Sequence, residues 1–102
     1  MTREEAKNII WNKFLERHFV QNYMPKNPIV LGDGSIVTII YSTIRGMYDD
    51  YVASDYDSVL NGELVSLFVV FKETNANGFS KFRQLKNMKT EDIITIAERM
   101  MA

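Results

Sequence analysis

Few residues in this chain are equipped for chemistry, and their spacing decides what each can do. There is one histidine, His18, and no cysteine. Nucleophilic catalysis needs a base within reach of a hydroxyl or thiol. His18 falls on the apolar arc of a helical pattern, where a core or boundary imidazole bonded to backbone is expected. No Gly-x-Ser-x-Gly elbow supplies a nucleophile. Gly32-Asp33-Gly34 leads into a strand pattern and carries a carboxylate, so it reads as a turn and not as a phosphate cradle.

Acidic residues are densest at Asp49, Asp50, Asp55, Asp57 and Glu63, within fifteen positions and uninterrupted by Lys or Arg. Carboxylates hold Ca²⁺ or Mg²⁺ when their spacing is right. An EF-hand loop begun at Asp55 would put Val59 at a ligand position and Leu60 where glycine is needed. Glu63 and Glu73 also lack the lysine two residues on that a nuclease-type carboxylate set carries. No metal site and no cofactor is expected. The same segment holds Tyr48, Tyr51 and Tyr56, and tyrosine offers stiff contact area with a polar tip. Tyr48, Asp49, Asp50, Tyr51, Asp55, Tyr56 and Asp57 are therefore expected to form a docking face for a basic protein.

A segment of opposite sign follows. Lys81, Phe82, Arg83, Lys86 and Lys89, with Phe79 beside them, contain no acid before Glu91. Basic groups next to aromatics are the ingredients of single-strand nucleic-acid binding. They are equally the composition of an edge strand guarded against sheet-to-sheet pairing. Nucleic-acid binding through these residues is the alternative function.

The elements that must position these residues are legible. Thr2 and Glu5 fit a capping box ahead of Ala6, Ile10, Trp11, Phe14, Leu15 and His18, which share one arc at helical spacing. The pattern predicts an amphipathic helix ending between Val20 and Tyr23, before Pro25 and Pro28 force extended backbone. Asp33-Gly34, Asn61-Gly62 and Asn77-Gly78 each separate apolar runs, the signature of tight antiparallel hairpins. Gly46 to Ser54 reads as irregular, followed by a strand to Leu60. Thr90 is the expected N-cap of a closing helix, with Glu91 and Asp92 in its first turn and Ile93, Ile96, Ala97 and Met100 along its stripe.

The expectation is one α+β domain over residues 1–102: an N-terminal helix, an antiparallel β-meander of four to five strands and a C-terminal helix. Two strands carry apolar side chains on both faces, Ile36 to Ile44 and Leu64 to Phe71, so they should be central and covered on both sides. If both helices lie on one face, a second copy of the chain is the simplest cover for the other.

Composition bounds the rest. A hydrophobic fraction of 46% and a charged fraction of 25% suit a globular domain and argue against disorder. Twelve basic and thirteen acidic residues leave a net charge of −1, which fits neither a DNA mimic nor a dedicated duplex binder. No apolar run follows Met1-Thr2-Arg3-Glu4-Glu5 and none approaches a membrane span, so a cytoplasmic location without a signal peptide is expected. The function expected is a small non-catalytic interaction or regulatory domain, homodimeric, acting on another protein or on itself.

Overall fold

The structure, a computed structural model, describes residues 1–24, 27–45 and 54–101. Helix α1 (Arg3–Glu16) opens on the expected capping box. The Glu5 amide donates to Thr2 Oγ1 at 3.1 Å, and the Thr2 amide donates to Glu5 Oε1 at 3.2 Å. These two bonds satisfy amides that the first helical turn leaves without partners.

The helix stops earlier than its apolar arc predicts. His18 and Phe19 adopt left-handed backbone, with φ of 54° and 65°. The His18 amide donates to the Leu15 carbonyl and the Phe19 amide to the Phe14 carbonyl, both at 3.1 Å, which is a Schellman ending. Its hydrophobic clasp is the Phe14–Phe19 edge-to-face pair, with centroids 5.1 Å apart. His18 is consequently exposed and not a core imidazole. The reversal lets β1 (Asn22–Tyr23) pair with the sheet at Ile39 and Ile40. Tertiary pairing thus overrides the helical periodicity beyond Glu16.

The remaining strands are β2 (Ile29–Val30), β3 (Ile36–Arg45), β4 (Tyr56–Leu60), β5 (Glu63–Thr74) and β6 (Ser80–Gln84). All pairings are antiparallel, in the order β1-β3-β5-β4, with β2 also on β3 and β6 also on β5. The described sheet therefore has six strands, two of them only two residues long. As expected, β3 and β5 are central, matched over ten residue pairs from Ile36–Thr74 to Arg45–Val65. Because β4 and β5 are joined by a tight hairpin, β5 lies between β3 and β4.

Each Asx-Gly signal is a hairpin turn. Asn61 and Gly62 both have positive φ, 51° and 81°, as a two-residue loop with the right twist requires. The other two loops share one construction. Leu31 N–H donates to Ser35 O and Gly34 N–H to Leu31 O; Asn75 N–H donates to Phe79 O and Gly78 N–H to Asn75 O. The acid or amide in each loop adds a bond to backbone, Asp33 from Ser35 N–H and Asn75 from Asn77 and Phe79 N–H.

A 3₁₀ turn (Leu85–Asn87) leads to α2 (Thr90–Met101). Thr90 is its first helical residue and not its cap; the Lys89 carbonyl accepts the first bonds, from Asp92 and Ile93 N–H. Arg3 clips the two ends of the chain together. Its guanidinium donates to the carbonyls of Leu85, Lys86 and Met88 and to Thr90 Oγ1.

Both helices lie on the same face of the sheet. Ala6, Ile10 and Phe14 of α1 and Ile93, Ile96, Ala97 and Met100 of α2 share one core with Val37, Ile39, Tyr41, Leu67, Val69 and Phe71. The strand residues in that list are all odd-numbered, the parity that points one way out of the pleat. Tyr41 fixes the layer spacing by donating its hydroxyl to the Ile10 carbonyl at 3.1 Å. Among the described residues no helix is long and apolar enough to cross a membrane.

Candidate interaction surface

With the helices on one side, the even-numbered residues of the other strands, together with Asp57 and Val59 of β4, form a second face without a covering layer among the described residues. Register sets its rows. Val30, Ile36 and Thr74 lie abreast at one end, followed by Thr38, Lys72 and Phe82, then by Asn22, Ile40, Val70 and Gln84. Ser42 pairs with Phe68, Ser66 pairs with Ile44 on one side and Asp57 on the other, and Val59 pairs with Leu64 at the far end. Several apolar side chains here meet solvent: Val59 at 67% exposure, Phe82 at 61%, Ile36 at 48%, Val30 at 43% and Ile44 at 39%. Scattered exposed apolar residues are ordinary in a monomer, whereas a contiguous face of them marks a binding surface.

Charge is sparse on this face. Among the described strand residues it carries Lys72 near one end and Asp57 near the other. Asp57 Oδ1 accepts from Ser54 Oγ and Ser66 Oγ, both at 2.7 Å, which holds the carboxylate in place.

The acidic and tyrosine residues of the expected docking face go different ways. Tyr48, Asp49, Asp50 and Tyr51 lie outside the described residues. Asp55 is buried and serves the fold. β4 and β6 both pair with the same edge of β5, at residues 63–67 and 70–74, and leave a break between them. Asp55 fills it: its carboxylate accepts from Val69 N–H at 2.7 Å, Lys86 N–H at 3.2 Å and Gln84 Nε2 at 3.4 Å. Burial raises its pKa above the usual aspartate value, and those three donors pull the other way. Tyr56 turns to the helix side, stacked on Trp11 at 5.4 Å with Lys7 Nζ 5.6 Å from its ring centre. Burial pushes its phenol pKa well up. Of the described members, Asp57 alone faces outward on the open sheet.

The basic segment is split by the pleat. Phe82 lies on the open face, while Lys81 and Arg83 are on the helix side. Arg83 is engaged there: its Nε and Nη2 donate to the two Glu73 oxygens, each at 2.6 Å, and Nη2 is 3.6 Å from Asp92. This pairing keeps Arg83 more firmly protonated than a free guanidinium, while Glu73 is fully buried beneath it. Lys81, Arg83 and Lys89 line a cleft of about 300 Å³, but Asp33, Glu91 and Asp92 line it too. Lys86 is exposed on the 3₁₀ turn. Among the described residues no three His, Cys, Asp or Glu side chains converge as a metal site would need.

Sequence reasoning identified the doubly apolar strands but did not place Val30, Val59 and Phe82 on the same face. Each belongs to a short edge strand, and only the register reveals the common side. Compared with known proteins, the chain matches no family model, no curated protein and no solved structure.

Proposed function

We propose that this chain is a non-catalytic interaction domain whose working surface is the open, largely apolar face of its sheet. The observation that carries the reading is the placement of both helices on one face while β3 and β5 bear apolar side chains on the other. Ile36, Ile40, Phe68 and Val70 gain by leaving water, at roughly 25 cal/mol for each Å² covered.

What favours a protein partner over single-stranded nucleic acid is the division of the basic segment. Stacking platforms need their aromatics and cations on one side. Phe82 is separated from Lys81 and Arg83 by the sheet, and Arg83 is committed to two carboxylates. The test is to present the full chain as bait in an extract of its source cell, beside Ile40→Lys. A lysine at that position keeps its stem on the sheet and brings an ammonium into any interface. Loss of the retained protein on substitution is expected, with the circular dichroism unchanged. Retention that is indifferent to Ile40→Lys would remove the open face from consideration.

A further inference from the structure

We infer that the occupant of the open sheet face is a second copy of the chain, packed face to face about a two-fold axis with the strands of the two copies antiparallel. This rests on the preceding assignment of the open face as the working surface.

The open face is self-complementary in charge. In a two-fold interface a residue i that meets j requires j to meet i, so the charges on the face must pair under reversal. Lys72 and Asp57 satisfy this. Lys72 lies level with Thr38, and Asp57 lies level with Ser66. The midpoint between positions 66 and 72 of β5 falls between Phe68 and Val70, where the face is uncharged. An axis across the strands at that level, in the plane between the two sheets, sets Phe68 over the partner's Val70. It also sets Lys72 over the partner's Ser66. Asp57 of the partner is then one strand away, about 4.8 Å to the side, within reach of a lysine side chain. The same operation makes the second Lys72–Asp57 pair. A register displaced along the strands by a few residues moves each Lys72 out of reach of the partner's Asp57 and loses both pairs. The face thus specifies its own register.

Its size is adequate. Four strands abreast at ~4.8 Å and a central strand of ten residues at ~3.3 Å per residue cover on the order of 600 Å² per copy. Two such faces reach the size at which specific interfaces begin, about 1,200 Å² in total. Stacked sheets separated by about 10 Å with strand directions within about 30° are a standard packing, which this pairing adopts.

Charge reversal in trans tests the idea on the full chain. Sedimentation equilibrium of the wild-type protein at about 10–100 μM should give twice the 11.8 kDa of one chain. Lys72→Asp alone sets like charges against each other twice, as does Asp57→Lys alone. Each should weaken the dimer by about tenfold or more, the combined effect of two lost and two repulsive pairs. An equimolar mixture of the two variants restores opposite signs at both contacts, and dimer mass should return in the mixture alone. Circular dichroism of each variant establishes that it is folded. A wild-type mass of 11.8 kDa throughout this range overturns the inference, as does a dimer unmoved by either reversal or a mixture that stays monomeric. Ile40→Lys separates this failure from failure of the functional reading. A monomeric wild type that loses another protein on Ile40→Lys refutes only self-association, whereas a dimer that tolerates Ile40→Lys refutes both.

Discussion

Asp55 illustrates how residue type and residue role come apart. By type it belongs to an acidic surface segment; in the fold it closes a gap in the hydrogen-bonding edge of β5, where the Val69 amide would otherwise be buried without an acceptor. An amide in its place keeps one acceptor and presents donors to the Lys86 N–H, so Asp55→Asn is expected to cost about 1–3 kcal/mol at neutral pH by urea unfolding. The pH dependence has a definite sign. The folded state raises the Asp55 pKa above the unfolded value of 3.8 and so binds more protons just above that value. Wild-type stability contributed by this group therefore rises as pH falls through the raised folded pKa, and levels off below the unfolded one. The stability gap between wild type and Asp55→Asn should widen on acidification from pH 7 to about 4. Glu5 and Asp33, whose pKa values are lowered by bonds from Thr2 and Ser35, act in the opposite direction. They are common to both proteins and cancel in the difference.

At the scale of elements, the contact that ties β5, β6 and α2 together is the Glu73–Arg83 pair with Asp92 beside it. The two partners are not equivalent. Glu73 is fully covered, whereas the Arg83 side chain keeps 27% of its surface exposed. Removing the arginine strands a buried carboxylate; removing the glutamate leaves a cation that can still reach water and Asp92. Arg83→Met is thus expected to cost about 3–5 kcal/mol, and Glu73→Met distinctly less. The double variant should fall near Glu73→Met, because no buried charge is then left unpaired. Chemical denaturation of the three proteins reads this order directly. The end of α1 shows the same dominance of contacts over local preference. A left-handed residue other than glycine costs roughly 1–2 kcal/mol, yet the chain accepts two in succession at His18 and Phe19. Two terminal hydrogen bonds and the Phe14–Phe19 ring contact offset that cost.

For the whole molecule, the described residues form two layers, a helical layer and a sheet, with an apolar surface beyond the sheet. Central strands this apolar on both sides leave one face without a covering layer among the described residues. If association covers that face, unfolding becomes dependent on concentration, since dimerisation stabilises the folded chain by mass action. Raising the protein concentration about a hundredfold should lift the wild-type melting midpoint by several degrees. The Ile40→Lys midpoint should not move with concentration. Differential scanning calorimetry at two concentrations distinguishes these outcomes.

The local decisions were written in the sequence. Thr2 and Glu5 cap α1, Asn61-Gly62 turns β4 into β5, and glycines at 34 and 78 close the other hairpins, because each needs only its immediate neighbours. Parity within β3 and β5 was legible for the same reason: a strand's period of two is local. Tertiary structure alone decided that both helices share a face and that Asp55 goes inward while Asp57 goes outward. Those outcomes depend on which edge of β5 each strand joins and on where α1 reverses. Pairings between residues far apart in the chain set both, and neither periodicity nor composition encodes them. The apolar surface foreseen from two doubly apolar strands became a bounded face with a register only when Val30, Val59 and Phe82 were brought beside it.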